Sequence, residues 1–164
     1  MNRYDGRVSE EEPRWLSPEE LAVWMKFSVV LVRLPQELDA QLQRDAGLSW
    51  FEYLVLAGLS EAPERTMRMS RLAVLANGSL SRLSHVVKRL ETRGWVVRRA
   101  CPEDGRFTNA TLTDDGWEKV VATAPGHVAA VRRFFAEVLE PEQLQHLGGA
   151  VDALLGRLTP GDCG

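Results

Sequence analysis

Residues 77–96 read NGSLSRLSHVVKRLETRGWV, and this stretch decides the fold. Asn77-Gly78 is a strong turn signal, and Ser79 stands where a helix start needs a cap. At about 100° per residue, Leu80, Leu83, Val87 and Leu90 fall on one side of the helix that follows. Arg82, His85 and Arg89 fall on the opposite side, with Ser81 and Lys88 at its edge. Gly94 stops the helix, because glycine accepts the left-handed backbone that closes a helix end. A helix with one apolar and one cationic face therefore lies between two turns.

Working outward, a shorter helix is expected over Arg71–Ala76, opened at Ser70, and a short strand over Thr66–Met69. Downstream, Trp95–Cys101 is β-branched and arginine-rich, and Phe107–Leu112 alternates in character. Pro102-Glu103-Asp104-Gly105 between them is a turn sequence, which makes a hairpin. The order helix, turn, helix, hairpin predicts a winged helix-turn-helix head over residues 46–113. The fold class is then mainly α with a small β hairpin.

The flanks read as helices. Ser17-Pro18-Glu19-Glu20 combines a cap, a proline suited to the first helical position and a capping-box glutamate. A long apolar rhythm follows from Leu21 to Leu42, and Pro35 inside it is expected to kink the helix. Ser49-Trp50-Phe51-Glu52 repeats the capping box and opens a densely apolar helix to about Ser60. Thr113-Asp114-Asp115 caps another helix with acids near its positive end, running to Val138, and Pro125-Gly126 is expected to bend it. Pro141 opens a last apolar helix to Leu158. Residues 17–45 and 114–158 are thus a helical base, residues 1–16 a loose arm and residues 159–164 a frayed tail.

Charge is distributed unevenly. From Arg65 to Arg106 ten Lys and Arg face three Asp and Glu, although the chain as a whole carries −3. A basic block on an acidic body suits a polyanion. An apolar helix face that sits on the body and a donor-rich face turned outward suit a major groove about 12 Å wide. Ser79, Ser81, Arg82, His85, Lys88 and Arg89 are the candidate DNA contacts on that helix. Serines near its start leave room for close approach and bond phosphate beside free backbone N–H groups. In the hairpin, Arg98, Asp104 and Arg106 are the candidates, with Arg106 reaching a neighbouring minor groove or the backbone. Asp104 is expected to cap its own turn while orienting Arg106 or Arg98.

Other chemistries are poorly served. The sequence has no nucleophile–base pair, metal cluster or phosphate loop, so an enzyme, a metal site and a cofactor are not expected. Cys101 and Cys163 form no framework. Cys101 stands beside Arg98 and Arg99, which can lower a thiol pKa, and its redox activity is left open. His127 and His146 read as surface or interface residues. No apolar run is long enough to cross a bilayer, and no secretory signal is seen near Met1, so a cytoplasmic setting is expected. A module that keeps the winged fold but binds protein instead of DNA is the alternative.

Several phrases resemble a known family. Leu72-Ala73, Leu90-Glu91-Thr92-Arg93-Gly94-Trp95-Val96, Arg98, Asp104-Gly105-Arg106 and Leu112-Thr113-Asp114-Asp115-Gly116 stand at the spacing of the MarR-type (multiple antibiotic resistance regulator) family. The phrase Asn77–Leu90 resembles an actinobacterial branch. The resemblance implies a homodimer whose first and last helices, with part of the fifth, intertwine while two heads straddle a palindromic DNA site. It implies a transcriptional regulator, usually a repressor, released by a small aromatic or phenolic effector. Trp24, Phe27, Trp50 and Tyr53 are either core or the lining of an effector pocket. Two positions depart from the family pattern: Gly105, where an arginine is frequent, and Arg82, where a small hydroxyl residue is frequent. The first removes a wing charge; the second points to base reading by Arg82, with guanine the base it suits.

Overall fold

The computed structural model describes residues 13–101 and 104–158. Contacts divide it into two units, up to Arg33 and from Leu34 onward, which are described separately. The elements are α1 (Pro18–Ala46), α2 (Trp50–Ser60), β1 (Thr66–Arg68), α3 (Met69–Leu75), α4 (Leu80–Thr92), β2 (Val96–Ala100), β3 (Thr108–Leu112), α5 (Asp114–Val131) and α6 (Pro141–Leu158). The chain is mainly helical with a small sheet, as the sequence predicts, and the short strand expected from Thr66 joins the hairpin as the third strand of that sheet. Its order is β1-β3-β2 and both pairings are antiparallel. Met67 stands opposite Ala110 on one edge and Arg98 opposite the same residue on the other.

In the first unit, Ser17 starts α1 as expected. Its Oγ accepts from Glu20 N at 3.2 Å, and Glu20 Oε2 accepts from Ser17 N at 2.7 Å. Leu21, Val23, Trp24, Met25 and Val29–Val32 are all exposed. Trp24 is therefore not core, contrary to one of the two readings for it. The helix passes through Pro35 without ending.

The second unit holds the core. Leu42 and Leu48 meet Val55, Leu56 and Leu59 of α2, Leu72 of α3, and Leu83, Val87 and Leu90 of α4, all fully buried. Each such side chain contributes roughly 1.5–3 kcal/mol relative to exposure. Val96, Ala110 and Leu112 close the core from the sheet. Leu80 departs from the predicted apolar face: it is exposed, and Val86 is buried in its place. As the first residue of α4, Leu80 lies beyond the core's edge.

Three further boundaries differ from expectation. The short helix α3 begins at Met69, two residues before Arg71. The α5 helix runs through Pro125 to Val131, and a π-helical turn at Arg132–Ala136 follows where the sequence suggests one helix to Val138. The wing strands lose Cys101 and Phe107 at the wing turn, and the first also loses Trp95 at its start. Cys101 is buried, and Cys163 lies outside the described residues, as does the expected arm before residue 13 and the tail after 158.

The start of α5 is fastened to the root of the wing. Thr113 Oγ1 donates to Gly94 O at 2.7 Å and accepts from Gly116 N at 3.0 Å, while Thr113 N donates to Trp95 O at 3.0 Å. Gly116 lies so close to the Trp95 carbonyl that a β-carbon there would overlap it. Arg65 pairs with Asp114 at 3.0 Å and stacks on Trp117 at 4.4 Å. On α6, Leu144, Val151, Leu154, Leu155 and Leu158 share one face and are exposed. No helix among the described residues is long and apolar enough to cross a membrane.

Candidate nucleic-acid interface

The α4 helix presents three distinct stripes around its axis. Ser79 caps it, its Oγ accepting from Arg82 N at 3.2 Å. Leu83, Val86, Val87 and Leu90 point into the core. Ser81, His85 and Lys88 are exposed, and their side chains have no hydrogen bond or ion pair within the described part of the chain. Between these faces, on the α2 side, lie Arg82, Arg89 and Arg93, within roughly 40° of one another about the axis.

These arginines are engaged by the protein itself. The Arg82 guanidinium lies 4.2 Å from the ring centroid of Phe51. Arg89 Nε donates to Glu52 Oε1 at 3.2 Å, and Arg93 Nη1 donates to Gly47 O at 3.1 Å. Burial by itself would raise the Glu52 pKa. Hydrogen bonds from Ser49 N and Oγ, together with Arg89, outweigh it and hold the carboxyl below its usual range.

On the other border of α4, Glu91 holds Arg98 on β2. Arg98 N and Nε donate to its two carboxylate oxygens at 2.9 and 2.8 Å. Sequence reasoning left Asp104 to orient either arginine. In the structure it takes Arg106, with Nε and Nη2 donating at 3.0 and 2.7 Å, and Arg98 belongs to Glu91. The Arg106 side chain donates most of what depresses the Asp104 pKa, and the same pairing raises that of Arg106. Arg98 and Arg106 line a cleft of about 270 Å³ with Ser70, Leu80, Ser84, Phe107 and Thr108. Two hydroxyls from the helices and two wing arginines thus converge on one hollow, a chemistry suited to phosphate oxygens.

A MarR family model matches residues 46–106. The structure resembles Sco3205, a MarR family transcriptional regulator from Streptomyces coelicolor solved in complex with DNA. The two are 46% identical, with a TM-score of 0.88, over 93% of this chain and 96% of that one. The chain belongs to the MarR family. AbsC, a MarR family transcriptional regulator of the same organism, is 39% identical with a TM-score of 0.84, over 89% of this chain and 98% of that one. An uncharacterised transcriptional regulator of Bacillus subtilis, YkoM, is 28% identical over 77% of this chain and 83% of its own.

In this MarR-family head, the candidate residues fall into three groups. Ser81, His85 and Lys88 are turned outward on α4; Arg82 and Arg89 border α2; Arg98, Asp104 and Arg106 belong to the wing. Gly105 at the wing tip has open space around it. The aromatic candidates fall in both units. Trp24, exposed, and Phe27, half-buried, lie in the first unit. Trp50 is half-buried and Tyr53 buried in the second. Tyr53 faces His127, ring centroids 4.6 Å apart, and burial lowers the His127 pKa. Sequence reasoning missed this ring contact, and it missed Phe51, Glu52 and Glu91 as the partners of the helix and wing arginines. The Glu52 capping box was the available signal, since a buried capping glutamate has a second oxygen to satisfy.

Proposed function

We propose that this MarR-family protein is a homodimeric, sequence-specific DNA-binding regulator that acts in the cytoplasm, a repressor released by a small aromatic or phenolic effector. The observation that carries it is the outward stripe of α4. Ser81, His85 and Lys88 offer donors and charge with no intramolecular use among the described residues, on a helix whose opposite face is core. The likeness to Sco3205, solved with DNA, supports the assignment. In this role residues 46–113 are the head, with Ser79, Ser81, Arg82, His85, Lys88, Arg89, Arg98, Asp104 and Arg106 at the interface. Residues 17–45 and 114–158 form the dimer base. The exposed apolar side chains of α1 and of α6 support a second copy as their cover. Nothing in the role calls for catalysis.

The test is fluorescence anisotropy with duplex DNA from upstream of the protein's own coding sequence, set against a shuffled duplex. Tight binding to the first is expected, with log affinity falling by about 0.9 per neutralised phosphate for each unit of log salt. A small phenolic acid should release it. Equal, weak binding to both duplexes, or affinity indifferent to salt, points to a winged protein-interaction module instead.

A further inference from the structure

Resting on the DNA-binding role proposed above, we propose that Phe51 and Glu52 of α2 are positioning residues for DNA recognition: they hold Arg82 and Arg89, and through them the register of α4.

Two arginines of α4 and the arginine that caps its C-terminus meet one short segment. Arg82 stacks on Phe51, Arg89 bonds Glu52, and Arg93 bonds the Gly47 carbonyl. The contacts are spread over the helix from its first turn to its C-terminal cap, so together they fix its tilt as well as its position. The seat is itself rigid. Ser49 and Glu52 close a reciprocal capping box, and Trp50 N donates to Asp39 Oδ1 of α1 at 2.7 Å. Phe51 is buried, and the turn before α4 rests on its ring: a β-carbon on Gly78 would come within 2.6 Å of it.

Charge partition supports a positioning role. Glu52 is buried and uses both oxygens, one on its own helix start and one on Arg89. A buried carboxylate that loses its cation is costly, so Arg89 stays anchored at Nε. Its side chain is still 57% exposed, and its terminal nitrogens take no part in the bond to Glu52. Arg82 is likewise held over the Phe51 ring and is exposed. Each guanidinium is thus pinned by the protein while its residue stays exposed. A pinned donor loses less freedom on binding and discriminates between bases more sharply than a swinging one.

The experiment starts from the duplex that the full-length wild-type protein selects out of a randomised library. The variants are Glu52→Gln, Arg89→Gln and the double variant, each checked for folding by circular dichroism. Glu52→Gln should lower the ratio of selected to random binding by about ten-fold and broaden the re-selected sequence. The double variant should be no worse than the weaker single one, because both remove the same device. A purely structural loss would scale binding to every sequence alike and leave the preference intact. If Glu52→Gln does not fold, Phe51→Leu with Arg82→Met supplies the same readouts at the other anchor. Unchanged preference in the variants, or losses that multiply, overturns the positioning role while leaving DNA binding in place. A wild-type protein that selects no sequence overturns both.

Discussion

Asp104 clasps Arg106 at two points, so the wing arginine is held out from the hairpin by a carboxylate two residues before it. Both residues are near the wing tip, where an ion pair adds little to folding. Its value is in pre-ordering the guanidinium. Asp104→Ala should leave the melting temperature unchanged within error and weaken DNA binding several-fold at low salt. Arg106→Ala should weaken selected and random duplexes alike and reduce the salt slope by about 0.9. Titrations at several salt concentrations measure both.

The wing tip has room for the missing cation. A β-carbon on Gly105 would meet nothing within 4 Å, and the backbone there is not in the left-handed region. Gly105→Arg should therefore fold normally and tighten binding to random DNA, steepening the salt slope by about 0.9. An unchanged slope would show that the tip does not approach the phosphates.

Gly116 is the opposite case. A β-carbon there would overlap the Trp95 carbonyl, a backbone atom with no freedom to swing aside. Gly116→Ala should destabilise the protein by about 1–3 kcal/mol or more, read as a lower midpoint in a urea melt. Gly105→Ala is the matched control.

The pH dependence of stability has two parts. Burial depresses the pKa of His127 below the ordinary value of 6.5. The unfolded chain then binds the proton first, so stability is full above that value and falls as pH drops through it. Glu52 is also depressed, net of burial, by Ser49 and Arg89. Its contribution is complete above the usual carboxylate range and is lost at lower pH. Melting curves should show a first decline below pH ~6.5 that His127→Gln removes, and a second below pH ~4.5 that Glu52→Gln removes.

On α6, Leu154 and Leu155 are exposed in the single chain, so a charge there does not enter its core. Leu154→Glu with Leu155→Glu should keep the helical circular dichroism, halve the mass in sedimentation equilibrium and abolish tight binding to a palindromic duplex. A dimer of wild-type strength in this variant would exclude α6 from the base.

Local signals carried much of the fold. The Ser17 and Ser49 capping boxes, the Asn77-Gly78 turn and the Gly94 stop each depend on residues within a few positions, and all appear where expected. The third strand was only weakly marked because three residues show no alternation; Thr66–Arg68 is a strand by virtue of β3 beside it. Leu80 follows the apolar period, yet core depth at a helix end depends on neighbours the period does not reveal. The helical wheel placed Arg82 and Arg89 outward with His85. It could not foresee Phe51 and Glu52, which precede them by 31 and 37 positions in sequence.

The bonds from Thr113 to Gly94 and Trp95 have a mechanical consequence. They weld the first turn of α5 to the hinge line from which the hairpin springs. A twist of α5 about its own axis is therefore transmitted to the hairpin as a swing, with the far end sweeping the widest arc. Arg106 sits at that far end, so it is the residue whose path across a DNA surface is most sensitive to small rotations of α5.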